Sequence, residues 1–202
     1  MSNLLQQLNG ELSAVVDLAR RSLVKVNTGH HGAGAGIVWQ SDGLILTNAH
    51  VVRHRSIAVT LPDGQAYPAT IVGYDEERDL AVLSIEAQNL TPLARGDSEG
   101  LQPGQLVLAL GHPWGVAGAV SAGPVIDVGP APEMARPDRI FIQAGLQLRP
   151  GHSGGPMVDV QGRLVGINTM ITGPEVGLAV PVHVVQEFLK QPLKKNEGLK
   201  SF

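Results

Sequence analysis

The sequence predicts an all-β fold of two six-stranded antiparallel β-barrels, with a short helix at each end. Glycine and proline are abundant, with 25 and 14 copies among 202 residues, which favours many turns and short strands. After position 21, apolar residues occur in short runs or at alternate positions, the pattern of strands. These runs form two sets of six, joined by a stretch rich in proline, glycine and charge at 91–104.

The first predicted element is a helix from Asn3 to about Arg20. Its apolar residues recur at steps of three and four and therefore share one face. That face comprises Leu5, Leu8, Leu12, Val15 or Val16, and Ala19. The simpler interpretation is a helix packed on the domain, and the alternative is a contact between subunits of an oligomer.

The first barrel is expected within residues 22–91. Two Asp-Gly turns, in Ser41–Gly43 and Pro62–Gly64, have the chemistry of tight hairpins. The predicted strands of this barrel are Leu23–Val26, Gly36–Trp39, Leu44–Thr47, Ile57–Leu61, Ala69–Tyr74 and Leu80–Ile85.

The second barrel is expected within residues 102–180. Pro181 fits the first turn of a closing helix that runs to about Leu189, and a polar, basic tail follows at 190–202. The predicted strands of this barrel are Leu106–Leu110, Val120–Val128, Ile140–Gln143, Met157–Val160, Leu164–Thr169 and Gly177–Val180.

Composition excludes several classes of function. The net charge of −3 argues against a nucleic-acid binder that relies on phosphate contacts. With no cysteine, the chain has no disulfide scaffold, thiol nucleophile, cysteine-based zinc site or iron–sulfur cluster. No apolar run reaches 18 residues and the first 21 lack a signal-peptide pattern, so no membrane span is expected. We expect a cytoplasmic protein if this start is native, and a periplasmic or envelope protein if a longer precursor was trimmed.

The strongest local signal is the phrase Gly151-His152-Ser153-Gly154-Gly155-Pro156. Glycines around a serine allow a tight turn that exposes the hydroxyl and lets backbone N–H groups converge beside it. A serine nucleophile needs such donors for the oxyanion, and the N–H groups of Gly151 and Ser153 are the natural candidates. Taken alone, the phrase fits an ordinary glycine-rich hairpin equally well.

A base and its partner are available elsewhere in the chain. His50 follows the predicted strand Leu44–Thr47, and Asp79 stands at the start of the apolar strand Leu80–Ile85. A half-buried carboxylate there can hold the Nδ1–H of a histidine. Separately, these residues fit a surface histidine and a turn aspartate. Together with Ser153 they run in the order His, Asp, Ser, with the first two in one barrel and the third in the other, as expected for a cleft between barrels.

Nine phrases in this order carry a resemblance to a known family. They are Gly34–Val38, Thr47–Val52, Gly73–Leu83, Gly96–Ser98, Gly111–Gly115, Ile142–Gln143, Pro150–Pro156, Gly166–Thr169 and Ala179–Pro181. The chain resembles the chymotrypsin-fold serine proteases, and within them the HtrA (DegP/DegS-like) branch, from about Leu12 to Leu189.

The resemblance implies one trypsin-like protease domain over 1–189, with His50 as general base, Asp79 as its orienting partner and Ser153 as nucleophile. It implies a serine endopeptidase of unfolded or extended polypeptide, acting in protein quality control without a cofactor or metal. It also suggests a homo-oligomer, specifically a trimer. Family members usually continue into PDZ domains, whereas this chain stops at Phe202, so we expect a protease domain without PDZ.

Some positions depart from the family pattern. His152 and His112 stand where the family commonly has asparagine, the stretch Ala144–Arg149 differs, and the loop Ile171–Val176 is short. A neutral His152 is expected to hold the oxyanion loop, so that activity falls in mild acid more steeply than protonation of His50 alone explains. The alternative is that His152 merely fills the space of an asparagine.

The fold expected from the resemblance places Leu148, Val176 and Gly177 at the specificity pocket. Gln147 stands where trypsin-like enzymes carry an acid, and no Asp or Glu lies between positions 140 and 155. A basic P1 residue would be buried without a partner, so we expect small or medium aliphatic P1 residues. The alternative is that Leu148 fills core. Substrate is expected to add as a strand near Val176–Leu178.

Two other functions remain open on the sequence. The chain is alternatively a chaperone or binding module on a protease fold, with a resting or unassembled site, or a structural oligomer subunit that uses its N-terminal helix. His50 and His54 have helical zinc spacing but lack the accompanying glutamate, so a metal site is not expected. Trp39 and Trp114 are interpreted as packing residues, and His30 and His31 as an exposed loop pair.

Overall fold

Two closed antiparallel barrels of six strands make up the computed structural model of this chain. The structure describes residues 2–29, 33–53, 56–131, 139–172 and 175–191, and the statements below concern these residues. The predicted all-β class and both strand sets are confirmed. The expectations for His30, His31, His54 and all but the first two residues of the tail lie outside the described residues.

The first barrel has the strand order β1-β2-β3-β6-β5-β4 and closes through β4 and β1. A short 3-10 turn, Ala49–Val52, follows β3 and carries His50. Because β3 pairs with β6, the end of β3 lies beside the start of β6. The strands are β1 (Leu23–Asn27), β2 (Ala33–Gln40), β3 (Leu44–Thr47), β4 (Ala58–Thr60), β5 (Ala66–Asp75) and β6 (Leu80–Ile85).

The second barrel has the order β10-β11-β12-β9-β8-β7 and closes through β7 and β10. A 3-10 turn, Pro113–Gly115, follows its first strand. The strands are β7 (Leu106–Gly111), β8 (Ala119–Pro130), β9 (Ile140–Ala144), β10 (Pro156–Asp159), β11 (Leu164–Ile171) and β12 (Gly177–Pro181).

A helix precedes the first barrel and another follows the second, α1 (Ser2–Arg20) and α2 (Val182–Lys190). Helix α1 buries one face of its second half, with Val15, Val16 and Ala19, whereas leucines of its first half are exposed. No helix in the described part of the chain is long and apolar enough to cross a membrane.

An apolar cluster joins the two barrels and both helices. It contains Ile37 and Leu80 of the first barrel, Leu110 and Ile167 of the second, and Val185 of α2, all fully buried. Each barrel also has a cluster of its own. Burial of this shared surface is favourable and holds the facing strand ends of the two barrels in one arrangement.

Candidate active site

His50 and Asp79 meet at the adjoining ends of β3 and β6. The Nδ1 atom of His50 lies 2.8 Å from Oδ2 of Asp79 and 3.0 Å from its Oδ1. The backbone N–H of His50 also donates to Oδ1 at 3.0 Å. These contacts fix the orientation of the imidazole and leave its Nε2 for chemistry. About a third of the imidazole surface is exposed.

Asp79 remains ionised although its side chain is buried. Burial alone would raise the pKa of Asp79. This effect is outweighed by hydrogen bonds from His50 and from the Thr169 hydroxyl and by electrostatic attraction to His50, so the pKa of Asp79 lies below its usual value. The Thr169 hydroxyl donates to Oδ2 at 2.6 Å. Asp79 also has φ +55°, in the left-handed region that non-glycine residues seldom adopt. Asn48 supports this backbone by donating to the Asp79 carbonyl oxygen at 2.9 Å.

Ser153 is positioned by one hydrogen bond to the first barrel and one within the second barrel. Its carbonyl oxygen accepts the Ala35 N–H of β2 at 2.8 Å. Its hydroxyl donates to the Thr169 carbonyl oxygen at 3.0 Å. Thr169 therefore contacts Asp79 through its side chain and Ser153 through its backbone. This role of Thr169 was not predicted from the sequence. The one feature of the sequence that could have indicated it is the hydroxyl residue at the end of the phrase Gly166–Thr169.

Two glycines beside Ser153 are required by space as well as conformation. Gly151 has φ +105°, and a Cβ there would lie 2.5 Å from the His112 carbonyl oxygen. Gly154 has φ +86°, and a Cβ there would collide with the Ala35 carbonyl oxygen and the Thr47 hydroxyl. Only glycine adopts such backbone without strain while allowing so close an approach.

Residues 149–152 form a tight turn, hereafter called the oxyanion turn after the role that the sequence predicts for Gly151. The His152 N–H donates to the Arg149 carbonyl oxygen at 2.9 Å. Proline at the second position and a glycine with positive φ at the third define a type II turn. In a type I turn, the peptide between Pro150 and Gly151 would point the opposite way. The sign of φ at Gly151 therefore sets the direction of its N–H group.

His152 lies buried beneath the oxyanion turn, only 3% exposed. The Arg149 N–H lies 3.1 Å from its Nδ1, which accepts this hydrogen bond when the imidazole is neutral. In the described part of the chain its buried Nε2 has no hydrogen-bond partner. Burial lowers the pKa of His152, and the nearby positive charge of Arg149 lowers it further against a partial opposing effect of the Arg149 backbone. The lowered pKa favours the neutral imidazole of His152 at neutral pH.

His112, in the loop after β7, has a comparable environment. Its Nδ1 accepts the Gly118 N–H at 3.3 Å, and its own backbone N–H donates to the Gly151 carbonyl oxygen at 2.8 Å. Burial lowers the pKa of His112, and a hydrogen bond to the Val24 backbone opposes this effect in part. The positive charge of Lys25 lowers the pKa further, as would a proton on His152. Two neutral imidazoles therefore adjoin the oxyanion turn.

The three predicted pocket residues lie near one another. Leu148 is 7% exposed and belongs to the apolar cluster of the second barrel. A Cβ on Gly177 would lie 2.9 Å from Leu148 Cγ, so the absence of a side chain at Gly177 allows the leucine to pack closely against it. Val176 is partly buried. Gln147 is exposed, and its Oε1 accepts a hydrogen bond from Arg149 at 2.8 Å.

The expectation that substrate adds as a strand near Val176–Leu178 is wrong. β12 is paired on both sides, Gly177 with Ile171 and Ala144, so its backbone is already occupied. The open edge lies on β11. Its strand pairing with β10 ends at Ile167, and no strand in the described part of the chain covers that side of 169–171.

The two tryptophans behave differently. Trp39 is 7% exposed and packs under the Arg95 guanidinium at 4.2 Å, as predicted for a packing residue. The same interpretation of Trp114 is wrong. Its side chain is 73% exposed, its φ is +52°, and its ring lies 4.9 Å from the Arg149 guanidinium.

Two six-stranded barrels that meet at a histidine–aspartate pair and a glycine-flanked serine define the chymotrypsin-like class of protein. Comparison with known families agrees. Residues 34–167 match the trypsin-like peptidase domain model. The chain therefore belongs to the family of trypsin-like peptidase domains, and its relatives include HtrA-type serine proteases.

Individual relatives carry the same assignment. Protease Do-like 1, chloroplastic, of Arabidopsis thaliana is 39% identical over 79% of this chain and 39% of its own length. Serine protease HTRA2, mitochondrial, of Drosophila erecta is 35% identical over 81% of this chain and 40% of its own length. The structure of the HtrA-type protease AlgW with a tripeptide superposes with a TM-score of 0.82 and 33% identity, covering 89% of this chain and 62% of AlgW. The chain spans about two fifths of the length of these curated relatives.

Proposed function

We propose that this domain cleaves peptide bonds through an acyl-enzyme formed on Ser153. The observation that carries the proposal is the position of Thr169, which binds the Asp79 carboxylate and the Ser153 hydroxyl at once. Ser153 Oγ attacks the scissile carbonyl while His50 takes its proton and later delivers it to the leaving amine. The ionised Asp79 orients His50 and stabilises the imidazolium that forms.

The oxyanion of the tetrahedral intermediate is assigned to the N–H groups of Gly151 and Ser153. The type II geometry of the oxyanion turn supports this assignment, because it decides which way the Gly151 N–H points. Loss of one such donor typically lowers kcat by about a hundredfold to a thousandfold.

Substrate binding is expected to release the Ser153 hydroxyl from the Thr169 carbonyl oxygen. An extended peptide that pairs with 169–171 of β11 would place a backbone N–H on that carbonyl, in competition with the hydroxyl. The hydroxyl would then turn to His50. Pairing through the backbone reads no side chains, which suits unfolded or extended polypeptide as the substrate class and a quality-control role.

Leu148, Val176 and Gly177 are the proposed walls of the P1 pocket. The exposed position of Gln147 and the apolar surroundings of Leu148 offer no counter-charge to a lysine or arginine. A small or medium aliphatic P1 residue is therefore favoured.

Homo-oligomerisation through α1 is proposed on a separate observation. Leu4, Leu5 and Leu8 of its first half are 73%, 63% and 47% exposed, an apolar surface that association with further copies would bury. The resemblance to the family favours a trimer.

The decisive test compares the parent with Ser153→Ala in casein digestion, with cleavage sites read by mass spectrometry. Removal of a triad nucleophile typically costs about a million-fold in rate, so the variant should be inactive while its circular dichroism is unchanged. Covalent labelling of the parent by a phosphonate distinguishes an enzyme from a chaperone or binding module with an unassembled site. Comparable cleavage by the variant would end the proposal.

A further inference from the structure

Arg20, the last residue of α1, contacts the loop that follows β7. Its Nε donates to the Gly118 carbonyl oxygen at 3.0 Å, between positions 98 residues apart. The fit is close, because a Cβ on Gly118 would lie 2.8 Å from this Nε. The same guanidinium has its NH1 atom 3.5 Å from the exposed carboxylate of Asp17. The end of the helix is therefore attached to this loop by a specific hydrogen bond.

Residues 112–118, hereafter the bridging loop, contact the oxyanion turn twice. At one point the His112 N–H donates to the Gly151 carbonyl oxygen at 2.8 Å. At the other, the Trp114 ring lies 4.9 Å from the guanidinium of Arg149, the first residue of the turn. The loop thus touches the turn at the residue that supplies an oxyanion donor and at the residue that begins it.

Hydrogen bonds link the two ends of the bridging loop. The Gly118 N–H donates to His112 Nδ1 at 3.3 Å, while the Gly118 carbonyl oxygen accepts from Arg20. An unbroken series of bonds therefore runs from Arg20 through Gly118 and His112 to Gly151.

The loop between these bonds is strained. Trp114 has φ +52°, a left-handed conformation that is an outlier for a bulky aromatic residue, and its side chain is 73% exposed. Such a conformation persists only where surrounding contacts maintain it. The exposed ring buries little surface, so hydrogen bonds maintain the conformation. Two lie inside the loop, from Gly115 N–H to His112 and from Val116 N–H to Pro113, and the others lie at its ends.

We propose that Arg20 is a positioning residue for catalysis: by holding Gly118 it keeps the bridging loop in the conformation that supports Gly151 and Arg149. The proposal rests on the proposed roles of Ser153 and Gly151. It assigns to the N-terminal helix an effect on turnover that does not require contact with substrate.

Two substitutions separate the hydrogen bond of Arg20 from its bulk. Arg20→Gln retains an N–H donor at the same number of bonds from the backbone as Nε, whereas Arg20→Met keeps a similar shape without a donor. Loss of one hydrogen bond predicts that Arg20→Met lowers kcat by about threefold to tenfold, with KM within about twofold of the parent. Arg20→Gln should stay within about twofold in both. Asp17→Asn is the control for the neighbouring ion pair and should match the parent.

All variants are assayed with a peptide substrate and by the rate of phosphonate labelling of Ser153, at a temperature where urea titration shows them folded. A double-mutant cycle then tests the route through the loop. Arg20→Met combined with His112→Leu, which has no acceptor for the Gly118 N–H, should cost less than the product of the single effects, because both break the same series of bonds. Multiplicative effects would exclude His112 as the link.

The outcomes separate this inference from the proposed function. A parent that neither cleaves peptide nor reacts with the phosphonate refutes the protease proposal itself. An active parent with Arg20→Met at the parental kcat refutes only the role of Arg20. An equal loss in Arg20→Met and Arg20→Gln would also refute it, since the donor would then be irrelevant.

Discussion

Replacement of His152 by asparagine should make the stability of the domain less sensitive to acid. His152 is 3% exposed and its pKa is lowered from 6.5 by burial. In the unfolded chain the same imidazole takes a proton once the pH falls below 6.5. At such a pH the unfolded state binds a proton at His152 that the folded state does not bind. Stability contributed by the neutral His152 is thus fully present above pH 6.5 and is lost as the pH falls from 6.5 towards the folded-state pKa.

The size of this effect follows from proton linkage. Each proton bound only by the unfolded state lowers the free energy of unfolding by about 1.4 kcal/mol per pH unit. Charged and titratable groups near the two buried histidines act in the same direction. Arg149 faces His152, and His112 faces both Lys25 and His152. His112 therefore adds up to one more proton to the difference in proton binding between the unfolded and folded states. His152→Asn should reduce the slope of the unfolding free energy against pH by up to about 1.4 kcal/mol per pH unit.

The assay is urea unfolding of the parent, His152→Asn and His112→Asn at about pH 7.5, 6.5 and 5.5. Lost packing in the variants shifts stability equally at each pH and leaves the slope unaffected, and the other histidines contribute equally to all three proteins. kcat/KM followed over the same range should fall with more than one proton in the parent and with fewer in His152→Asn. Identical slopes and identical acid limbs would show that His152 is a spacer.

Three further predictions use other parts of the site. Thr169→Val removes the hydroxyl that donates to the buried, charged Asp79 carboxylate, and it should lower kcat/KM by about tenfold to a hundredfold. Thr169→Ser keeps the hydroxyl and should retain the parental kcat/KM. Equal activity of the two variants would contradict the role of this hydroxyl. Cleavage sites in casein should show Val, Ala or Leu at P1, and a map dominated by Lys or Arg would refute the pocket assignment while leaving the triad untouched. Ser98 is 1% exposed, and its hydroxyl oxygen accepts the backbone N–H of His183 in the first turn of α2 at 3.1 Å. Ser98→Ala should therefore lower the free energy of unfolding by about 1 kcal/mol and Tm by about 2–4 °C. An unchanged Tm would show that this hydrogen bond does not stabilise the helix.

Local patterns in the chain were sufficient for the architecture and for the candidate catalytic residues. Alternation of apolar residues and turn chemistry such as Asp42-Gly43 report burial within a few neighbouring positions, and this is why all twelve strands were predicted within a few residues of where they lie. The order of His50, Asp79 and Ser153 is a linear property, as are the glycines at 151 and 154. Both glycines have positive φ in the structure, in keeping with the tight turn expected around Ser153.

Barrel closure decided the rest, because it pairs atoms from distant parts of the chain. The second neighbour of β12 is β9, which lies far back in the chain, so the periodicity of Val176–Leu178 gave no sign that its backbone was already occupied. The Thr169 hydroxyl meets Asp79 across 90 positions, and Arg20 meets Gly118 across 98. Trp114 is a large apolar residue of the kind usually found in a core, yet it has positive φ and its ring is exposed to solvent beside Arg149. Sequence periodicity records how deeply a residue is buried, whereas the identity of its partners depends on how the barrels close and on the surface they bury together.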